Sequence, residues 1–323
     1  MSYAVVVEQL VKYYGSLQAL RGISFRVPMR GITVILGPNG AGKTTTLRAI
    51  SGALKISGGR VEVLGHDVAR DPVRVKSLIG VVPELPYLFP GLSVEDNLRL
   101  AGRLHGLRGE ELHQRIMEIA ESLGLRSMLG RKYRGLSKGF KRRVDIAAAL
   151  IHKPRLLILD EPTGGLDLLA AVRLREIIRR LASQDTAIIL STHNVSEAAS
   201  LADHVMVLVD GRIGFTGSPD RLKDMLGGEA ELVIMVDGEA SKLAAGIKRG
   251  GVRVEGSILR VRARNKLEAL KDVIRASEQL GIPIQGISMH EPSWEEIFLR
   301  LFKEGVASSR QYKREGGCIC EGA

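Results

Sequence analysis

The sequence predicts an α/β fold: a mixed sheet core, an antiparallel β subdomain, a helical subdomain and, behind them, a small C-terminal α+β domain. Three observations lead there. Ile32-Thr33-Val34-Ile35-Leu36 is an apolar run of strand length that enters a glycine-rich loop, Gly37 to Thr45, and a helical pattern follows it to Ile50. Leu156-Leu157-Ile158-Leu159 and Ala187-Ile188-Ile189-Leu190 are continuous apolar runs of the kind a parallel sheet buries on both faces. From Ser93 to about Leu150 the pattern is almost wholly helical, so a helical insertion interrupts the sheet.

Taken in order, Val5-Val6-Val7 begins a strand, with Leu10 to Gly15 as its exit into a turn. Ile23 to Val27 alternates apolar and polar residues and reads as a half-buried antiparallel strand. Tyr14 precedes the glycine loop; an aromatic there either stacks on a purine base or packs half-buried.

The loop itself, Gly37-Pro38-Asn39-Gly40-Ala41-Gly42-Lys43-Thr44-Thr45, fits the pattern G-x-x-x-x-G-K-[ST]. Its glycines let the backbone curl so that N–H groups point at an anion, and the helix that starts near Gly42 adds its positive dipole end. Lys43 then reaches the β- and γ-phosphates of a nucleotide, and Thr44 offers its hydroxyl to Mg²⁺.

Gly58 to Gly65 suggests a glycine turn into a strand, and Ser77 to Val82 another that ends at Pro83-Glu84. Ser93 with Asp96 makes a helix start, and Glu110 to Ala120 carries apolar residues at helical spacing. Ser137 and Gly139 open the helix that runs on through Val144 to Ile151, with basic residues beside them. They form either a second phosphate site or a plain helix cap.

Asp160 and Glu161 end the apolar run of residues 156–159. After a nucleotide loop, an acid at such a strand tip holds Mg²⁺, and the next carboxylate orients or deprotonates the attacking water. His193 ends the neighbouring run, where imidazole can touch the γ-phosphate or that water. Val205 to Val209 and Arg212 to Phe215, joined by Asp210-Gly211, read as a hairpin with a primed turn.

Beyond Leu222, Glu231 to Val236 and Ser257 to Arg262 read as strands, Lys266 to Leu280 as an amphipathic helix, Ile282 to Ser288 as a last strand and Ser293 to Lys303 as a final helix. The expected domains are 1–222, with its helical subdomain at about 84–150, then 223–305, and a disordered tail at 306–323. The tail holds Cys318 and Cys320, which alone cannot fill a tetrahedral zinc site.

A length of 323 residues exceeds the usual single-domain size. The formal charge of +11 favours an anionic partner: a nucleotide, lipid headgroups or nucleic acid. The basic residues are scattered and lack interleaved aromatics, so nucleic acid is not expected. Nothing approaches the roughly 20 apolar residues of a membrane span, and no leader pattern opens the chain, so a cytosolic chain is expected.

These pieces in this order resemble the nucleotide-binding subunit of an ATP-binding cassette (ABC) transporter, a P-loop NTPase, over residues 1 to about 220. The family's signature appears as Leu136-Ser137-Lys138-Gly139-Phe140 and its D-loop as Gly164-Gly165-Leu166-Asp167; His193 matches its switch histidine and Tyr14 its adenine-stacking aromatic. Two departures, Glu84 in place of glutamine and Lys138 in place of glycine, are similar to the exporter-type (ABC-2) branch that includes drug-resistance and sodium-efflux subunits.

The resemblance implies ATP as substrate with Mg²⁺, the latter held by Thr44, Asp160 and Glu84. It implies Glu161, His193 and Lys43 as catalytic residues, and a head-to-tail pair of ATP-binding chains in which Ser137 and Gly139 act on the partner's nucleotide. It further implies a separate multi-pass membrane permease that holds the chain at the inner face of the cell membrane. The alternative class is a soluble cassette ATPase of DNA repair or translation. Those chains usually carry coiled-coil insertions, a second cassette or cysteine-rich domains, and none is visible here. The C-terminal stretch Glu291 to Phe298 resembles the closing motif of exporter-type cassettes, with Trp294 as a packing anchor and a regulatory or dimer-stabilising role implied.

Overall fold

The computed structural model describes residues 3–183, 186–226, 230–237, 240–247, 251–263, 266–290, 293, 294 and 296. Its contacts divide the chain after Pro219 into two compact units.

The first unit begins with two long strands, β1 (Tyr3–Tyr14) and β2 (Leu17–Pro28), paired antiparallel. The expected turn from Leu10 is overturned: β1 runs on to Tyr14, and the chain reverses at Gly15, whose φ is +58°. Register shifts along this pair break the simple alternation, yet Leu10 is still fully buried, which is why the extended stretch did not look like one.

Next come β3 (Ile32–Leu36), whose residues are all buried, and α1 (Lys43–Ile50). They are followed by β4 (Gly58–Val63), β5 (His66–Asp67), α2 (Pro72–Leu78) and β6 (Ile79–Val82). Ser77 and Leu78 therefore close a short helix and do not begin the strand. Pro72, suited to a first helical position, and the buried Val75 mark that helix. β2, β1, β4 and β5 form one antiparallel sheet in that order.

The helical insertion consists of α3 (Val94–Leu104), α4 (Gly109–Ser122) and α5 (Lys138–Leu150). Ser93 caps α3 by accepting from the Asp96 N–H at 3.0 Å, with Glu95 and Asp96 in the first turn.

The chain then returns to the central sheet with β7 (Leu156–Asp160), α6 (Leu168–Ala182), β8 (Ala187–Thr192), α7 (Val195–Leu201), β9 (His204–Val209) and β10 (Arg212–Gly217). This sheet has six strands in the order β10-β9-β3-β8-β7-β6, parallel except for the β9–β10 hairpin. Asp210 and Gly211 both take positive φ, +47° and +73°, as a primed turn requires. Every residue of β3, β7 and β8 is buried.

One core joins the two sheets: Val5, Val7, Phe25, Val61 and Val63 of the antiparallel sheet and Ile35, Ile158 and Ile189 of the central sheet cluster with Leu47 and Ile50 of α1. The helix that carries Lys43 is thus clamped on both sides by packed side chains.

The second unit follows α8 (Pro219–Leu226) with β11 (Ala230–Val236), α9 (Ala240–Gly246), β12 (Gly251–Glu255), β13 (Ile258–Ala263), α10 (Lys266–Leu280) and β14 (Ile284–His290). Its antiparallel order β12-β13-β11-β14 makes it a split βαβ unit. Leu232, Ile234, Leu259 and Val261 pack there against Leu243, Ala269 and Val273. The sequence reading lacked α9 and β12, a short helix and a short strand in which Arg253 and Glu255 are exposed. The expected final helix lies almost wholly outside the described residues, as do the tail and both cysteines. Among the described residues, no helix is long and apolar enough to cross a membrane.

Candidate functional site

The glycine loop is shaped by what surrounds it. The Gly37 N–H donates to Thr192 O at 3.3 Å, and a Cβ on Gly37 would stand 2.2 Å from Leu208 O, so only glycine fits there. Gly42, at φ +104°, turns the chain into α1, and the Gly211 N–H donates to Ala41 O at 3.1 Å. The loop is pinned by the ends of β8 and β9, while Pro38, Asn39 and Gly40 remain exposed at its tip and Thr45 lies half-buried in α1.

Lys43, only 6% exposed, curls back to donate to Gly37 O at 2.9 Å and Pro38 O at 3.1 Å. Its Nζ also lies 3.2 Å from Glu161 Oε1. The other oxygen of that carboxylate, Oε2, meets His193 Nδ1 at 3.0 Å, and this imidazole is half exposed. Thr44 Oγ1 donates to Asp160 Oδ1 at 3.1 Å. Lys43, Thr44, Asp160, Glu161 and His193 therefore meet at one place, where α1 starts and β7 and β8 end.

Glu161 has φ +45°, a left-handed conformation that a non-glycine residue adopts only when its surroundings hold it. Three residues absent from the sequence reading hold this corner. Ser191 donates its hydroxyl to Asp160 Oδ1 at 2.6 Å and accepts the Glu161 N–H at 3.0 Å. Arg142 donates to Glu161 O at 3.1 Å and Pro162 O at 3.0 Å.

Glu197, 1% exposed, accepts from Thr163 Oγ1 at 2.7 Å and Thr192 Oγ1 at 2.6 Å, which ties the turn after Glu161 to the segment that carries His193. Burial pushes its pKa up and the Glu161 charge adds to that, while the two hydroxyls oppose the shift. Ser191 next to the β8 terminus was the one signal the sequence offered for these three.

Other predicted residues stand apart from this cluster. Tyr14 is exposed at the tip of β1, with the Lys12 ammonium 5.0 Å from its ring centroid. Ser137 caps α5 by accepting from the Phe140 N–H at 3.4 Å, so the cap reading describes its contact within this chain. A Cβ on Gly139 would lie 3.0 Å from Ala170 Cβ, which shows how closely α5 approaches α6. Glu84 is exposed after β6, and its main-chain oxygen accepts from Arg142 Nη2 at 3.0 Å. Among the described residues, no group of three or more His, Cys, Asp or Glu side chains forms a metal cluster. Thr44 and Asp160 do offer a hydroxyl and a carboxylate side by side, the hard oxygen donors that Mg²⁺ prefers.

Comparison with known proteins shows the family. A family model described as ABC transporter matches residues 20–164. The chain is similar to the daunorubicin resistance ATP-binding protein DrrA3 of Streptomyces coeruleorubidus, with 36% identity over 92% of this chain and 95% of that protein. It is similar to the linearmycin resistance ATP-binding protein LnrL of Bacillus subtilis (strain 168), with 31% identity over 91% of this chain and 96% of that protein. Among solved structures it resembles cbiO1 from Clostridium perfringens, part of the ABC transporter complex cbiONQ, with a TM-score of 0.64 and 30% identity over 69% of this chain and 91% of that one.

Proposed function

The chain belongs to the ABC transporter family as an ATP-binding protein, and from that premise we propose that it is the ATP-hydrolysing subunit of an exporter, dimerising on ATP and driving a separate membrane permease. The observation that carries this reading is the meeting of Lys43 and His193 on the two oxygens of Glu161, next to the Thr44–Asp160 pair.

In this reading the glycine loop from Gly37 cradles the phosphates with its N–H groups, and Lys43 balances the β- and γ-phosphate charge. Tyr14 stacks on the adenine. Glu161 accepts a proton from the water that attacks the γ-phosphorus, and the P–O bond to ADP breaks as the new one forms. His193, hydrogen-bonded to Glu161, orients that carboxylate and contacts the γ-phosphate. Thr44 and Asp160, with Glu84, are the residues that would hold Mg²⁺, which neutralises phosphate charge when bound. Ser137 and Gly139 of a second chain complete the site from the other side, so ATP links two copies or two related chains.

An apolar surface supports a membrane partner. Leu85, Tyr87 and Phe89 are 75%, 44% and 57% exposed, directly after Glu84. Monomeric proteins rarely leave such neighbouring side chains uncovered. In our reading a permease covers them and keeps the chain at the inner membrane face. Resistance to a drug, named for the relatives, is the corresponding expectation here.

The test is steady-state ATP hydrolysis by the wild-type chain and by Glu161→Gln, with co-purification of the wild-type chain from membranes alongside. Turnover by the wild type and none by the variant is the expected result. Undiminished turnover by the variant removes Glu161 from its role.

A further inference from the structure

We infer that Arg142 is a positioning residue for hydrolysis, whose guanidinium ties α5 to both the Glu84 loop and the left-handed turn at Glu161, so that the aim of the Glu161 carboxylate depends on how α5 is seated. This rests on the assignment of Glu161 as general base.

Arg142 is 7% exposed and lies near the start of α5, the helix capped by Ser137. Its Nε donates to Pro162 O at 3.0 Å and its Nη1 to Pro83 O at 2.7 Å. Its Nη2 reaches Glu84 O at 3.0 Å and Glu161 O at 3.1 Å. One planar fork thus joins two loops that leave neighbouring parallel strands, β6 and β7, and binds both to a helix of the insertion.

At Glu161 the grip is two-sided. Ser191 holds the N–H and Arg142 holds the C=O of a residue at φ +45°. If the carbonyl is released, the turn can relax towards ordinary negative φ, and the carboxylate then swings away from Lys43 and His193. Packing alone does not account for an arginine here. An apolar side chain would fill the space without the desolvation cost of a guanidinium. Asp145, one turn along α5, accepts from Tyr133 through Oδ1, and the four Arg142 bonds go to main-chain oxygens.

The consequence is coupling between sites. Ser137, at the head of α5, is the residue proposed to meet the second chain's nucleotide. A shift of α5 on that contact passes through Arg142 to this chain's own base and to Glu84.

The experiment uses the full chain with Arg142→Lys, which keeps the charge but lacks the fork, and Arg142→Gln. Thermal unfolding, binding of a fluorescent ATP analogue, and hydrolysis as a function of ATP and of Mg²⁺ are measured together. Arg142→Lys is expected to fold and to bind nucleotide within about twofold of wild type, with kcat about ten- to a hundredfold lower. The Mg²⁺ concentration for half-maximal rate should rise severalfold while the nucleotide affinity holds. A purely structural role would instead lower kcat and binding together with the folded fraction, and that result overturns the inference. So does wild-type kcat in Arg142→Lys, or failure of both variants to fold. If only Arg142→Gln fails to fold, Arg142→Lys decides. Glu161→Gln, run in parallel, separates the two levels. Its full activity would fault the general-base reading, whereas an inactive Glu161→Gln beside a fully active Arg142→Lys sinks this inference alone.

Discussion

Lys43 Nζ stands 3.2 Å from Glu161 Oε1, two opposite charges that are both almost buried and come from the first turn of α1 and the end of β7. In the proposed mechanism this lysine faces the phosphates and this carboxylate the attacking water, and the ion pair holds the two in place. Lys43→Ala removes the cation proposed to balance nucleotide charge and leaves Glu161 with one fewer partner. A charge-assisted contact is worth about 1.5–3 kcal/mol, so ATP affinity should weaken by roughly ten- to a hundredfold. Equilibrium binding of a fluorescent ATP analogue measures it, and unchanged affinity would contradict the loop assignment.

His193 reaches Glu161 from the solvent side at 3.0 Å. His193→Ala should lower kcat by about a hundredfold, the usual scale for losing one group in proton transfer, with nucleotide binding little changed. A KM that rises while kcat stays level would make His193 a binding residue only.

Asp145 and His152 give the first unit opposite responses to acid. Burial raises the Asp145 pKa from 3.8 to about 6, against the pull of its Tyr133 hydrogen bond and of Arg142. Burial first, then repulsion from the charge of His105, whose ring centroid lies 3.6 Å away, lowers that of His152 from 6.5 to about 4. A raised folded pKa gives stability that is full below about pH 3.8 and lost as pH rises through about 6 for Asp145. A depressed one gives stability that is present above pH 6.5 and lost as pH falls towards about 4 for His152. Over that window the two contributions offset. Asp145→Asn should therefore leave a chain whose stability climbs with pH across it, by on the order of 2 kcal/mol relative to the wild-type profile. Urea unfolding at several pH values reads this, and parallel profiles would refute it.

Much of the fold was legible because its periodicities are strong. The continuous apolar runs within the fully buried strands β3, β7 and β8, the glycine loop and the Asp210-Gly211 turn each announce one conformation. The far end of β1 was not, because register shifts disguised its alternation. Nor were α9 and β12, which are short. At the candidate site, the residues proposed to carry chemistry stood inside recognisable patterns. Those that hold them, Ser191, Arg142 and Glu197, act through main-chain oxygens, an amide and two hydroxyls, and all of these partners except the Thr192 hydroxyl lie far from them in sequence. Such contacts depend on tertiary placement, which local pattern does not encode.

The most direct test of the central claim is the molecular mass of Glu161→Gln in solution, by light scattering after size exclusion, with and without ATP and Mg²⁺. A site completed by Ser137 and Gly139 of a second chain predicts a monomer without nucleotide and a stable dimer with ATP that ADP does not support. A chain that binds ATP yet stays monomeric at every nucleotide concentration would contradict it.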